Sequence, residues 1–373
     1  MKKIIFKKIL NEILIFFLIF SLALTLIVWV IQAVNYLDIV TEDGHSFNVY
    51  FNYTALSLPK LFSKIFPFVF FLSVFYIINN YETNNQLLIY WSHGINKKEF
   101  INKIIKFSLL FLIIQLFLTI LLVPYTSNKS RSFIRSSNLD FFPNLIKPKK
   151  FIDAVQGLTI FIDSKNEDGD YQNIILKDNS TSTSQLIIAK TGKIISKNNR
   201  KLLLLNVGQI IRRNTANKIT IFNFEETQFD LNKYSSKTTK KPKIQELVTS
   251  KLIQCTKFLL QYPESKLKMK NMLCEKSFFN NLVQELFKRI YMPTYILVLS
   301  LAASLLVLKS KNAHNYAAFK IAIFLIGIFL LVISEILLNF TGTNFLYNCL
   351  FLLAPIFFFL IIYYYMSTKV KFN

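Results

Sequence analysis

Cysteine is scarce. The chain of 373 residues has three, Cys255, Cys274 and Cys349, too few for a disulfide framework, and none stands in a C-x-x-C pair of the kind structural zinc uses. Cys255 and Cys274 are expected as two free thiols, since pairing would require their segment to meet an oxidising compartment. Histidine is equally rare: His45, His93 and His314 are isolated from one another, which excludes an H-E-x-x-H zinc site. A phosphate-cradling Walker A sequence and a G-x-S-x-G nucleophile elbow are also missing. Acidic residues number 21 against 44 Lys and Arg, and charged residues make up only 17%. With no cluster of carboxylates or histidines, the sequence points away from an enzyme, and from any directly bound cofactor or metal.

Apolar residues are abundant instead. The chain is 53% hydrophobic and 15% aromatic, with mean hydropathy +0.39. A soluble chain of this length cannot bury that much apolar surface, and a disordered one would not carry it. The net charge of +23 admits two accounts. It suits an anionic partner such as lipid headgroups, phosphorylated glycolipid or nucleic acid, and it also fits a compositional bias toward Lys, Ile, Asn and Phe.

A spanning helix needs about 20 mostly apolar residues. Six stretches qualify: Ile13 to Tyr36, Thr54 to Ile78, Ile104 to Val123, Tyr291 to Leu308, Phe319 to Leu338, and Tyr347 to Met366. The first follows Lys2, Lys3, Lys7 and Lys8 but is too long for a signal peptide and lacks an Ala-x-Ala site, so it is read as a retained signal-anchor. Lys and Arg in short loops set orientation. The N-terminal tail, the loop with Lys97, Lys98 and Lys103, the loop with Lys309 and Lys311, and the tail with Lys369 and Lys371 belong to the cytoplasmic side. The loops after the first and fifth stretches carry no Lys or Arg and belong outside. Both termini are then cytoplasmic and the long insert is external. Tyr36, Tyr53, Tyr125, Tyr291 and Tyr347 suit the two interfaces.

The insert reads as β structure. Strand-like runs fall at Leu158–Asp163, Asn173–Lys177, Gln185–Lys190, Leu202–Val207 and Lys218–Phe224, separated by polar turn clusters, a spacing that predicts a sandwich or jelly-roll-like sheet with an edge open to strand addition. From Ile244 to about Phe287 the pattern turns helical, with Pro263 as a break. The organisation is therefore 1–124 for the first three spans, 125–245 for the β domain, 246–290 for a helical return segment and 291–373 for the last three spans. The fold class is a polytopic α-helical membrane protein, three plus three, with a periplasmic β-jellyroll-like domain between the third and fourth spans.

Lys60 and Lys64 lie one turn apart on one face of the second stretch. They either snorkel to the interface or face a cavity and bind phosphate. Lys129 and Arg131, beyond the third stretch, and Lys288 and Arg289, before the fourth, lie at similar depth and complete a candidate basic rim, for which Arg offers bidentate contact. Glu335 is the one acid inside a span, read either as an interfacial carboxylate or as a group at a cavity rim. Asn85 to Lys98 reads as a short amphipathic cytoplasmic helix with Leu87, Leu88 and Trp91 on its apolar face and Gly94 as its terminating C′ residue.

These segments together resemble the lipopolysaccharide-transport permease family LptF/LptG over nearly the whole chain. The resemblance is carried by LPKLFSKIFPF at Leu58–Phe68, NQLLIYWSHGINK from Asn85, LLVPY at Leu121–Tyr125, GLTIFID at Gly157–Asp163, the QLIIAKTGKI and LLLLNVGQI runs, and ELFKRIYMP at Glu285–Pro293. It implies a non-catalytic permease subunit in the inner membrane, paired with an LptF-like or LptG-like paralogue, with slight preference for this chain as LptF because its first external loop is free of basic residues. It implies an LptB-like ATPase dimer that uses the ATP and meets the helix of Gln86, Leu87, Leu88, Trp91 and Gly94. It also implies LptC-like and periplasmic bridge partners, lipopolysaccharide as cargo, and no nucleic acid. The proline of LLVPY resembles the family's exit from the third helix. One departure stands out: the family commonly has Glu where this chain has Gln86, and Glu82, a turn earlier, is the available substitute. The competing readings are an FtsX-like lipoprotein-release or efflux permease, whose large domain typically follows the first helix, and a membrane glycolipid-modifying enzyme, which would need an interfacial acid or His cluster.

Overall fold

In the computed structural model the described residues are 2–41, 46–136, 148–155, 157–166, 170–179, 184–197, 200–213, 219–231, 243–262, 267–269 and 272–371. The helices before the insert are α1 (Lys2–Asn35), α2 (Asp38–Thr41), α3 (Phe47–Ala55), α4 (Leu58–Thr83), α5 (Gln86–Ser92), α6 (Lys97–Phe117) and α7 (Val123–Ser136). Those after it are α8 (Thr249–Gln261), α9 (Phe279–Ile290), α10 (Tyr295–Ser304), α11 (Tyr316–Phe340) and α12 (Phe345–Lys371). Among the described residues six helical runs are long and apolar enough to cross a membrane, one for each stretch expected from the sequence. The chain divides into two compact units, residues 1–30, 57–128 and 242–373, and residues 31–56 and 129–241.

The first unit is a helical bundle centred on α10, in which every residue but Leu297 is buried. A helix that is apolar all round belongs at the middle of a bundle. Its small residues allow close approach, and Ser300 Oγ donates to Ser108 Oγ of α6 at 3.1 Å. Around it, Phe17, Phe66, Phe70 and Phe111 from α1, α4 and α6 form an aromatic knot with ring centroids 4.6 to 6.4 Å apart. Gly327 of α11 lies directly on the ring of the fully buried Phe71, so that a Cβ there would collide with it.

Three prolines stand inside these helices, Pro67, Pro124 and Pro355, and each leaves a carbonyl four residues earlier without its donor. Pro67 in α4 frees Ser63 O, which accepts from Gln115 Nε2 at 2.8 Å. Pro124 in α7 frees Ile120 O, which accepts from the Thr249 hydroxyl at 2.7 Å. In an apolar medium a carbonyl must find such a partner. The expected helix exit at Pro124 is accordingly corrected. The helix widens to a π turn over Leu118–Leu122 and continues as α7, because the wider turn and the borrowed hydroxyl remove the penalty of the missing N–H.

The return segment is also not helical throughout. Between α8 and α9 lies a hairpin of two short strands, Leu267–Met269 and Met272–Cys274; Pro263 falls outside the described residues. The expectation of free thiols is corrected as well. Cys255 of α8 and Cys274 are joined by a disulfide, their Cα atoms 5.9 Å apart, both fully buried in a small core with Leu252, Leu259 and Leu282. The hairpin, which periodicity does not reveal, brings the second cysteine back to the helix.

The second unit contains a six-stranded antiparallel sheet of β1 (Phe151–Val155), β2 (Leu158–Lys165), β3 (Tyr171–Asp178), β4 (Ser184–Lys197), β5 (Arg200–Arg213) and β6 (Ile219–Asp230), each paired with its sequence neighbour. Strands β4 and β5 run well past the expected ends at Lys190 and Val207. Both pass through a glycine that the neighbouring strands crowd: a Cβ on Gly192 would lie 2.6 Å from Ile174 Cδ1, and one on Gly208 would meet the Ile188 carbonyl and the Phe224 ring.

One face of a regular strand recurs every second residue. Here the buried face shifts by an odd step, from Tyr171 to Ile174 in β3 and from Ala189 to Gly192 in β4. The core residues of β5 step likewise from Leu205 to Ile210, and those of β6 from Phe224 to Phe229. Because Ile174 pairs with Ala189 and Gly192 with Leu205, the shifts line up across the strands. Asn173 and Val207, both at φ +50°, stand on that line. Residues on both sides of it share one core, so the sheet is creased and packs on itself, as a sandwich would.

The Gly327–Phe71 contact predicts that Gly327→Ala destabilises the bundle by about 1–3 kcal/mol, read as a lower thermal midpoint of the detergent-solubilised protein.

Candidate functional site

A cavity of about 120 Å³ opens within the helical unit, lined by Lys60, Ser63 and Lys64 of α4, Gln115 of α6, Glu285, Lys288 and Arg289 of α9, and Glu335 of α11, among others. Lys60, Lys64 and Lys288 are exposed to it. Lys60 Nζ donates to Gln245 Oε1 at 3.3 Å. The Ser57 N-cap and Pro59 in the first turn start α4 so that both its lysines face this space.

Arg289 does different work from that expected of a rim cation. It is 3% exposed. Nε donates to Glu285 at 2.9 Å, Nη1 to Leu247 O at 2.8 Å and to the Thr249 hydroxyl at 3.0 Å, and Nη2 to Gln245 O at 2.9 Å. Four of its five donors are engaged within the chain, and Thr249 passes the network on to Ile120 O. Thr119 Oγ1 donates to Arg289's own carbonyl at 2.7 Å. Arg289 thus braces the wall on which Lys288 is displayed. Lys129 and Arg131 belong to the other unit. Glu335, for which two placements stood open, is on the cavity wall. Gln115 is a member that sequence reasoning missed. Its only signal was a polar residue in the middle of an apolar span. Its amide nitrogen is taken by Ser63, and its Oε1 is buried with no hydrogen-bond partner among the described residues.

The second feature is α5. Gly94 takes φ +69°. Its N–H donates to Trp91 O at 3.0 Å and the N–H of Ile95 donates to Tyr90 O at 3.1 Å, which is the Schellman pattern a C′ glycine permits. The apolar residues of α5 divide into two groups. Leu87 is buried and Trp91 packs edge-on against Phe100, with centroids 5.9 Å apart. Leu88 and Ile89 are 60% and 51% exposed, so Ile89 rather than Trp91 accompanies Leu88 on the open face. Gln86 is half-buried. The Tyr90 hydroxyl donates to Ile5 O at 3.0 Å, tying α5 to α1, and burial, with the Glu12 carboxylate adding to it, pushes that hydroxyl above the usual tyrosine range, so it stays a donor. Glu82 accepts from Lys311 N–H at 2.7 Å and Lys311 Nζ reaches Thr83 O at 3.0 Å, so Glu82 holds the loop before α11.

The family model described as lipopolysaccharide export system permease LptF/LptG matches residues 7–369. The chain belongs to the LptF/LptG family. Members are permease components rather than enzymes. An uncharacterised protein of Rickettsia prowazekii (strain Madrid E) is 24% identical over 341 residues, covering 90% of this chain and 91% of that protein. In this LptF/LptG chain, the cavity draws its cations from α4 and α9, elements almost two hundred residues apart or more in sequence, and brings to them an acid from α11 that sequence spacing did not connect.

Because the guanidinium fork has no equivalent in an ammonium, Arg289→Lys is expected to destabilise by about 3 kcal/mol, measured as loss of thermal stability and faster proteolysis around residues 245–249.

Proposed function

We propose that this chain is one half of an ATP-driven lipopolysaccharide exporter of the inner membrane, in which it forms one wall of the chamber that receives the glycolipid. The observation that carries the reading is the cavity between membrane-spanning helices, with Lys60, Lys64 and Lys288 exposed to it. Charge inside a span costs about 2.5–3.5 kcal/mol on insertion scales, and a phosphate-bearing cargo offsets that cost. A second, paralogous subunit would supply the rest of the chamber.

The orientation in this proposal has both termini and α5 cytoplasmic and the sheet periplasmic. The Lys and Arg of the short loops support it, as does the Cys255–Cys274 disulfide, since disulfides persist in oxidising compartments such as the periplasm. An LptB-like ATPase dimer would then meet α5 on the open apolar pair Leu88 and Ile89. Lys2 donates to Gly94 O at 3.0 Å and Tyr90 to Ile5 O, so a push on α5 would reach α1 through hydrogen bonds rather than through a free loop. The Gln86 position is neutral here, which leaves apolar contact as the main term. The creased sheet would hand cargo to LptC-like and bridge partners.

Leu88→Asp and Ile89→Asp are expected to release the ATPase from the solubilised complex while Trp91, packed inside, is left in place; unchanged co-purification of the ATPase would end the assignment of α5 as its dock. Replacing Lys60 and Lys64 together by Gln is expected to lower the yield of lipopolysaccharide crosslinked to α4 by about five- to tenfold, the equivalent of two exposed charge pairs at about 0.5–0.7 kcal/mol each. An undiminished yield would return both lysines to the role of interfacial anchors.

A further inference from the structure

The foot of α6 carries another group of cations, apart from the cavity described above. An open cleft there is lined by Asn96, Lys98, Glu99, Asn102, Lys103 and Lys106. Its one acid is already engaged, since Glu99 accepts from Lys2 Nζ of α1 at 3.4 Å. Lys97 turns inward and donates to Leu308 O at 3.5 Å. Lys98, Lys103 and Lys106 are exposed, and none of the three donates to an acceptor among the described residues. Lys103 Nζ instead lies over the ring of Phe6 in α1, 5.9 Å from its centroid.

Beyond these cations the same face of α6 turns apolar. Side chains three and four residues apart share a helix face, and Asn102, Lys106, Leu110, Ile113 and Phe117 follow one another at such steps, with Leu109 beside them. Leu109, Leu110, Ile113 and Phe117 are 44% to 66% exposed. From Lys106 to Phe117 the helix rises about 17 Å, close to half of a hydrocarbon core of about 30 Å. The face therefore offers a set of cations at one end and one leaflet's depth of open apolar surface leading away from it. An acidic soluble partner could meet the lysines, but it could not follow the strip into the span.

We propose that this face of α6 holds an anionic phospholipid of the bilayer, its phosphate against Lys98, Lys103 and Lys106 and an acyl chain along Leu109, Leu110, Ile113 and Phe117. The proposal needs only that α6 crosses the membrane, and it is independent of the cargo the permease moves. A zwitterionic headgroup is the poorer fit, because it brings its own ammonium into a cleft whose carboxylate is already taken. The bound headgroup lies beside the point where Lys2 ties α1 to Glu99 and to Gly94 O.

The test uses the full-length chain, with the subunits that co-purify, in nanodiscs of equal parts phosphatidylglycerol and phosphatidylcholine with matched acyl chains. A benzophenone amino acid is placed at Leu110 or, for comparison, at Leu360 of α12, which is 58% exposed and precedes another lysine, Lys369. Mass spectrometry of the crosslinked lipid is expected to favour phosphatidylglycerol by about five- to tenfold at Leu110, the equivalent of three exposed charge pairs at about 0.3–0.5 kcal/mol each, and to show no such preference at Leu360. Replacing Lys98, Lys103 and Lys106 together by Gln is expected to bring the Leu110 ratio down to that at Leu360. Equal wild-type ratios at the two positions overturn the proposal and leave a general collar of snorkelling lysines. A triple variant that keeps the wild-type ratio also overturns it. So does crosslinking of Leu110 to protein in place of lipid, which would mark the cleft as a dock for another subunit.

Discussion

A carbonyl withdrawn into an apolar medium has to be given a donor, and this requirement organises the wall of the cavity. Pro67 and Pro124 each release one. The released groups are met by side chains from elsewhere in the chain, Gln115 and Thr249. Meeting them fixes where α6 and α8 must lie. Once Thr249 is fixed, its oxygen becomes an acceptor for Arg289, and Arg289 in turn gathers Gln245, Leu247 and Glu285. The guanidinium cannot lose its proton to escape burial, so every one of those acceptors is needed. The cations exposed to the cavity stand on helices held in this way, and Gln115, having met one carbonyl, is left with a buried oxygen that has no donor among the described residues.

Much of this architecture was legible in the sequence. The six apolar stretches, the β-rich insert and the C′ role of Gly94 follow from length, alternation and a single glycine. What was illegible depended on contacts between segments far apart. Arg289 reads as a surface cation because nothing local announces that residues 245–249 will wrap it. Gln115 reads as a polar interruption because its partner is 52 residues away. Leu87, Leu88 and Trp91 fall on one helical arc, yet α5 is too short to turn its whole apolar arc outward, and packing on Phe100 claims Trp91. The disulfide was missed for a related reason: a two-stranded hairpin of three-residue strands leaves no periodic trace, and without it Cys274 has no path back to Cys255.

The α5 segment shows how a short helix becomes a lever. Seven residues cannot hold a helix in water by backbone bonds alone. Here Leu87 and Tyr90 are buried at one side, the Schellman turn closes the C-terminus, and Ile95 beyond it is buried again. The element is clamped at both ends and free only at Leu88 and Ile89 and the polar side chains beside them. Force applied at that pair has little local flexibility in which to dissipate.

The crease across the sheet limits how the insert can diverge. Strands β3, β4 and β5 each change face at the same latitude, and the register is the same on both sides of the change although the rung at Asn173, Lys190 and Val207 is skipped. Adding or deleting one residue in any single strand would carry its bend out of line and expose half of its apolar side. Changes in length are therefore confined to the turns or must occur in all the strands at once. Related chains would keep the spacing from bend to strand end more faithfully than they keep the residues themselves.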